Sequence, residues 1–127
     1  RCKPMTIDQL LVDGHSTQIV PIVPDKFEVS YTTTSGDQDL YVKRALDKER
    51  GNDVYLHQLL TLMNLAMGLS SLNGTKYPVV VGPDGVDEEA FKAKLKAIKS
   101  YPVPMLLSLQ INYFWFFERA KKLFSFQ

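Results

Sequence analysis

Cysteine and histidine, the residues that build disulfide frameworks and many metal centres, are nearly missing from this chain. Its 127 residues include one cysteine, Cys2, and two histidines, His15 and His57. One cysteine cannot form an internal disulfide, and a single thiol with two distant imidazoles has no recognisable zinc spacing. The cysteine content therefore does not point to an oxidising compartment, and we expect neither a metal ion nor a cofactor.

Long apolar runs and an excess of charge of one sign are missing too. No apolar run approaches the ~18 residues that a membrane-spanning helix needs, so we expect no membrane partner. Fifteen Lys and Arg residues against 14 Asp and Glu residues give a net charge of +1. Binding to nucleic acid needs a concentrated basic surface, and this balance gives no reason to expect nucleic acid as the main partner.

The densest basic stretch covers residues 92–99, where lysines alternate with apolar residues. Such alternation is typical of the solvent-facing side of an amphipathic helix. Phosphate contact by this helix, as in a nucleic-acid accessory protein, is the alternative that the pattern leaves open. The lysines concerned are Lys92, Lys94, Lys96 and Lys99.

Motifs of catalysis are also lacking, because the chain contains no phosphate-cradling glycine loop and no nucleophile elbow. Asp84, Asp87 and Glu88 resemble part of a calcium loop, but the alternating ligands and the terminal bidentate glutamate are missing. We therefore expect a protein that is not an enzyme, and we assign no catalytic, cofactor-binding or metal-binding residue. An enzymatic or small-molecule-binding domain remains an alternative, with its pocket beside His57, Tyr55 and Tyr113.

The start of the chain predicts a short helix followed by an extended arm. Thr6 is placed to cap the helix, and Gly14 is placed to end it. Residues 16–24 then contain two prolines among isoleucines and valines. Because proline cannot donate to a central ladder, this segment is predicted to be an arm or an edge strand, suited to adding a strand to a neighbouring protein.

The next segment alternates apolar and polar residues from 26 to 33, which predicts a half-buried strand. Residues 35–37 have the composition of a turn. Residues 40–46 then offer a second strand, so that the whole segment is predicted to be a β-hairpin. A helix beginning at Asp39 is the alternative.

A long helix is predicted over residues 53–72, capped by Asn52 and ended by the pair Asn73-Gly74. Apolar residues cover almost its whole circumference, which is typical of a helix buried on most sides, by its own domain or by a partner. Gly68 lies inside it, where glycine costs about 1 kcal/mol relative to alanine. Its presence therefore indicates close helix packing.

The last third of the chain predicts a short edge strand at 77–81, a turn at 82–85 and two helices. The first helix is capped by Asp87, runs through Ser100, and has an apolar stripe of Phe91, Leu95 and Ile98. The second runs from about Pro104 to Phe124, with the proline in its first turn.

These elements predict one α+β domain over residues 1–127, in which about four helices pack with a small antiparallel sheet. The chain begins with Arg1 and not with methionine. We therefore expect that residues upstream of it are missing from this sequence.

The last helix has two apolar sides. At ~100° per residue, one set of apolar residues falls on a broad side of the helix that is suited to packing on the core. It contains Met105, Leu106, Leu109, Tyr113, Phe116, Phe117, Ala120, Leu123 and Phe124. Leu107, Ile111, Phe114 and Trp115 fall on the other side, where a surface helix should be polar. Either the helix is sandwiched inside its own domain, or the second side binds a partner. We predict partner binding by these four residues together with Ile19 and Ile22 of the arm.

Five stretches of sequence, taken together, resemble small tail and baseplate-hub assembly proteins of contractile-tailed bacteriophages, including those of the T-even type. They are CKPMTI at 2–7, FEVSYTT at 27–33, SGD at 35–37, PVPMLL at 102–107 and NYFWF at 112–116. The resemblance implies a structural role, as a hub component or as an assembly chaperone, in the virion or in the host cytoplasm. It implies other tail or baseplate subunits as partners in a hetero- or homo-oligomer, and it brings no catalytic residues.

Overall fold

An antiparallel sheet of four strands, five helices and a small two-stranded ribbon make up the described part of the chain. The computed structural model describes residues 5–13, 15–49 and 53–124. The helices are α1 Ile7–Asp13, α2 Gly36–Asp47, α3 Asp53–Gly68, α4 Glu88–Lys99 and α5 Val103–Lys122. The strands are β1 Thr17–Val23, β2 Phe27–Thr32, β3 Leu69–Leu72, β4 Thr75–Lys76, β5 Val81–Gly82 and β6 Gly85–Val86. The predicted α+β class is confirmed.

Three sequence predictions fall outside the described residues. They concern Gly14 as the end of the first helix, Asn52 as the cap of the long helix, and the segment around Cys2.

The sheet has the order β1-β2-β3-β4, so β1 is an edge strand as its prolines predict. β1 and β2 form an antiparallel hairpin in which Thr17 lies opposite Thr32. Along β2, Val29 and Tyr31 are buried on the inner face. Since successive side chains of a strand point to opposite faces, Ser30 and Thr32 lie on the outer face.

The predicted second strand at residues 40–46 is wrong, because this segment belongs to α2. Ser35 caps the helix: its Oγ accepts from the Gln38 amide at 3.3 Å, and Gln38 Oε1 accepts from the Ser35 amide at 2.6 Å. Asp39 also pairs with Lys43 one turn later, at 2.8 Å. A capping box and an i,i+4 pair both favour a helix over a hairpin. The alternative prediction, a helix beginning at Asp39, gives the correct type of element, but α2 begins earlier, at Gly36.

The predicted long helix ends early. α3 stops at Gly68, and the next four residues form β3, which pairs with β2. Asn73 and Gly74, predicted to end the helix, make the turn between β3 and β4 with φ angles of 50° and 82°. Such left-handed angles suit asparagine and glycine in a two-residue hairpin.

Burial along α3 is also less complete than the apolar pattern predicts. Leu65 and Ala66 in the second half are fully buried, whereas Tyr55 near the start is exposed. The helix is therefore central to the core only in its second half.

Of the predicted strand at 77–81, only Val81 lies in a strand, β5. Tyr77 still donates its amide to the Ser70 carbonyl at 3.0 Å, but Pro78 has no amide with which to continue the ladder. The turn at 82–85 is confirmed as the connection between β5 and β6. The next helix is also confirmed: Asp87 caps α4, and the predicted stripe Phe91, Leu95 and Ile98 is buried.

The core joins the inner face of the sheet to α3 and α5. The ring of Tyr31 lies 5.5 Å from that of Tyr113 and 5.6 Å from that of Phe116, measured between centroids. The Tyr31 hydroxyl donates to the Leu109 carbonyl oxygen at 2.8 Å, and burial raises the pKa of this tyrosine well above its ordinary value. A Cβ on Gly68 would lie 2.5 Å from Tyr113 Cε1, so the predicted close packing at this glycine is confirmed.

Candidate protein-binding surface

The last helix, α5, is only partly covered by the rest of the described chain. It begins after Pro102 and carries Pro104 in its first turn, as predicted. Leu109 and Phe116 are buried against the core, but Phe117 and Phe124 are more than half exposed. The broad core-facing side predicted from the sequence is therefore narrower in the structure, and its C-terminal part lies in solvent.

The opposite side of α5 forms an apolar stripe. Val103, Leu107, Ile111 and Phe114 follow one another at i+4, i+4 and i+3 spacing, and Trp115 lies beside the stripe. Each of these five side chains is between 53% and 65% exposed. We call these five residues the outer face of α5. The described chain leaves more than half of each of these side chains exposed, so the explanation that this helix is sandwiched within its own domain is wrong for the described structure.

The two aromatic residues of the outer face pack on each other. The rings of Phe114 and Trp115 meet edge to face, with centroids 5.5 Å apart and planes at 72°. This is a preferred geometry for aromatic pairs, in which each ring restricts the movement of the other. A partner would therefore lose less conformational entropy in ordering them.

Charge is confined to one end of this helix. Residues 103–117 contain no charged side chain, and the charges begin at Glu118. Glu118 lies 3.6 Å from Lys121, while Arg119 and Lys122 add two further cations to the last turn. Cations at this position are favoured by the negative end of the helix dipole. The outer face is thus an uncharged stripe with a cationic end.

The two arm residues predicted to bind a partner do not join the outer face. Ile19 is exposed on one side of β1, whereas Ile22 packs against the core from the other side. Ile22 is partly buried by its own chain, because an odd spacing along a strand places it and Ile19 on opposite faces, and partner binding by these two residues stays a prediction. β1 remains the edge strand, and strand addition by the arm stays a prediction.

Among the described residues, the three side chains predicted to form a pocket beside His57 do not line a common concavity. His57 is exposed on α3, where its carbonyl oxygen accepts from the Thr61 hydroxyl at 3.0 Å. Tyr55 lines a shallow concavity with Leu56, and Tyr113 lines separate concavities elsewhere. The three residues therefore do not converge on one site.

The lysines of α4 do not all face solvent, which corrects the prediction for Lys94. Lys92, Lys96 and Lys99 are exposed, but Lys94 is only 7% exposed. Its ammonium donates to the Leu69 carbonyl oxygen and lies 5.0 Å from the centroid of the Tyr77 ring.

The three exposed lysines converge with Arg44 of α2 and with Lys48, the residue that follows α2, along a groove. Its floor includes Phe91 and Leu95, and its rim carries two carboxylates, Glu49 and Glu88. Lys92 lies 3.1 Å from Glu88 and lowers the pKa of that carboxyl group. The cations that sequence reasoning missed are Arg44, which lies in the segment that was predicted to be a strand, and Lys48, which follows that segment.

Within the described residues, no group of three His, Cys, Asp or Glu side chains is arranged to hold a metal ion. None of the helices in the described ranges is both long enough and apolar enough to cross a membrane.

Comparison with known proteins assigns neither a family nor a function to this surface. No protein-family model, curated protein or solved structure matches the chain.

Proposed function

We propose that this protein is a non-enzymatic structural or assembly protein that binds another protein through the outer face of α5. The observation that carries the proposal is the exposure of five apolar side chains along one uncharged helix side. Aromatic residues dominate the energetics of protein interfaces, and Phe114 and Trp115 lie together at the C-terminal end of the outer face.

The size of the apolar surface is suited to this role. Phe114, Trp115 and the neighbouring Phe117 are 54%, 59% and 51% exposed. With about 150–250 Å² for each aromatic side chain, they leave roughly 250–400 Å² of ring surface in water. Burying this area would contribute about 6–10 kcal/mol at most, against an association cost of about 4–15 kcal/mol. The rings therefore supply a large share of an interface whose usual size is about 800 Å² per partner.

We propose a different protein as the occupant, and not a second copy of this chain. In a parallel pair of α5 helices, the cationic last turns would lie side by side and repel each other. In an antiparallel pair, each cationic turn would meet the uncharged start of the other helix, which offers no carboxylate. A partner with an apolar strip and acidic residues at the matching end would complement both features.

The resemblance to phage tail and baseplate-hub assembly proteins gives this partner a context. We propose that it is another tail or baseplate subunit, and that the chain acts as a hub component or as an assembly chaperone. The outer face includes residues of both C-terminal stretches that carry the resemblance, at 102–107 and 112–116.

The single tryptophan of the chain makes the proposal directly testable. We expect light scattering to show a monomer and Trp115 emission to be typical of an indole in water. On titration with purified candidate subunits, the emission should shift to the blue for one of them. Phe114→Ala should weaken this complex about tenfold or more, as expected of an interface anchor.

Leu40→Ala is the matched control, because Leu40 is a similarly exposed apolar residue on a different helix, α2. It should leave the affinity unchanged. A dimer of the free chain that Phe114→Ala dissociates would identify a second copy as the occupant and contradict the proposal. Emission typical of a buried indole in the free monomer would contradict the exposure on which the proposal rests.

The groove between α2 and α4 favours a second candidate, a nucleic-acid accessory protein. Five cations line this groove, namely Arg44, Lys48, Lys92, Lys96 and Lys99. The apolar floor and the two carboxylates at the rim make it less suited to a phosphate backbone than a uniformly basic surface. Fluorescence anisotropy with a labelled DNA duplex at low and moderate salt tests this candidate, since phosphate binding must fall steeply as salt increases.

A further inference from the structure

A cleft with both polar and apolar lining residues lies on the face of the sheet that is turned away from α5. Thr32 and Ser30 of β2 line it, on the opposite side of this strand from Tyr31, which packs under α5. The connection from Tyr77 to Val81 lines it as well. Its volume of about 520 Å³ falls within the range of sites that hold a small organic ligand.

Paired hydroxyl groups line the floor of this cleft. The Thr17 and Thr32 hydroxyl oxygens lie 2.8 Å apart, and the Ser71 hydroxyl donates to Ser30 Oγ at 2.8 Å. Each hydroxyl has one proton to donate, and only one proton is needed to join each pair. One donor per pair, including that of Ser30, therefore has no hydrogen-bond acceptor among the described residues and is available to a ligand.

The cleft contains two lysines and no carboxylate from the described residues. Lys76 and Lys94 contribute to its lining, as does His15, and no aspartate or glutamate among the described residues does so. Lys94 is 7% exposed and forms none of the ion pairs found between described residues. Burial alone lowers its pKa to about 8, with no contribution from a carboxylate.

A buried ammonium without an anion is costly, because burial of a charge is favourable only when a counter-charge or several hydrogen bonds compensate it. The Leu69 carbonyl oxygen and the face of the Tyr77 ring compensate part of the lost hydration. A full negative charge supplied from the cleft would compensate more.

We propose that this cleft binds a small ligand carrying a carboxylate or phosphate group, whose charge pairs with Lys94 and whose oxygens accept from the hydroxyl groups of the sheet. Lys76 lies at the exposed side of the same cleft and suits a second anionic group. The inference does not depend on the proposed protein partner, because β2 lies between this cleft and α5. Loss of partner binding in Phe114→Ala should leave the cleft unaffected.

Nuclear magnetic resonance of the whole chain tests the proposal with two probes, inorganic phosphate and succinate, each compared with chloride at the same ionic strength. We expect at least one probe to shift the amide signals of Ser30 and Ser71 in a saturable way. The same probe should raise the pKa of Lys94, measured at its side-chain nitrogen, because an anion stabilises the charged amine. The difference between the probes shows whether phosphate or carboxylate is the preferred group.

Lys94→Gln and the matched control Lys96→Gln remove one positive charge each from the same helix. We expect Lys94→Gln to weaken binding about tenfold or more, as for a charge-assisted contact, and Lys96→Gln to leave it unchanged. Ser30→Ala serves as a second variant if Lys94→Gln fails to fold, and it should weaken binding several-fold. Equal effects of the two lysine variants, signal changes confined to the groove between α2 and α4, or no binding beyond that of chloride would overturn the proposal.

Discussion

Adding a single methyl group at Gly68 tests how tightly α3 packs on α5. An ideal Cβ at this position would lie 2.5 Å from Tyr113 Cε1 and 3.0 Å from the Cζ and hydroxyl oxygen of the same ring. Carbon atoms in contact normally lie about 3.5–4.0 Å apart, so the ring would have to move by about 1 Å. This movement is restricted, because the ring packs against Tyr31 and Phe116, both of which are buried.

Two opposing effects decide the stability of Gly68→Ala. Alanine is favoured over glycine inside a helix by about 1 kcal/mol, and by less here because Gly68 is the last residue of α3. Overpacking a filled core costs about 1–3 kcal/mol. We therefore expect a net loss of about 1–2 kcal/mol in the free energy of unfolding. If helix propensity alone mattered, the same substitution would stabilise the protein.

Urea denaturation followed by circular dichroism measures this difference, and a double-mutant cycle assigns it to the proposed contact. Tyr113→Leu removes the ring atoms that the new methyl group would meet. In that background Gly68→Ala should lose most of its cost, with a coupling energy of about 1 kcal/mol or more. A neutral or stabilising Gly68→Ala, or a cost that is equal in both backgrounds, would show that the packing argument is wrong.

Three further predictions concern a helix cap, a turn and a buried charge. Ser35→Ala should lower the free energy of unfolding by about 1 kcal/mol, because the Gln38 amide loses its acceptor, whereas Ser35→Asp should keep most of it; urea midpoints measure both. Asn73→Ala should cost about 1–3 kcal/mol, because it removes one side-chain hydrogen bond to Lys26 in the turn before β2 and one from the Glu28 amide within β2, and because it places alanine at a φ of 50°. Asn73→Gly, which restores only the backbone freedom, should fall between alanine and the wild type in the same assay. For Lys94, whose pKa is lowered to about 8 in the folded chain, stability should rise between about pH 8 and pH 10, because the unfolded chain still binds the proton that the folded chain has released. The part of this rise between pH 8 and pH 9, about 1 kcal/mol by the usual 1.36 kcal/mol per pKa unit, should be absent in Lys94→Met. Measurements should stop near pH 9, because the tyrosines of the unfolded chain, whose ordinary pKa is about 10, ionise increasingly above it.

Local signals in the sequence were sufficient for elements whose caps and periodicity agree. α4 has an aspartate cap, two acidic residues in its first turn and a clear apolar stripe, and it was predicted nearly to the residue. At Ser35 the same residues fit both a turn and a helix cap, since serine, glycine and aspartate favour each of them. Gln38 decides between them by completing the capping box, and the hairpin interpretation gave it no role.

Tertiary pairing explains the other errors in the fold. Residues 65–72 are apolar enough to continue a helix, and nothing local marks the change to β3 after Gly68. β3 forms because its backbone pairs with β2 and because Gly68 lets Tyr113 approach closely. Both causes involve residues more than 35 positions away in the chain, which a local pattern does not contain.

The candidate surfaces differ in how far sequence could predict them. The outer face of α5 follows from helical periodicity alone, and its four predicted residues are exposed together in the structure. The cleft could not be predicted in this way. Lys94 belongs to a run of lysines, and nothing in the sequence distinguishes it as the buried one. Only the packing of α4 beside the end of α3 brings its ammonium to the Leu69 carbonyl oxygen.

The outer face of α5 differs from an ordinary exposed helix side in its lack of charge. Charged residues make up 23% of the chain, and α4 places three lysines on its exposed side, yet residues 103–117 contain none. A helix side that only had to face water would gain solubility from charges at no cost to the core, because its side chains do not pack against the sheet. Such charges would, however, have to be desolvated if another protein covered the helix, and unpaired buried charges are costly. The lack of charge is therefore what the proposed partner would require of this helix side, which is why Phe114 and Trp115 are the residues to substitute first.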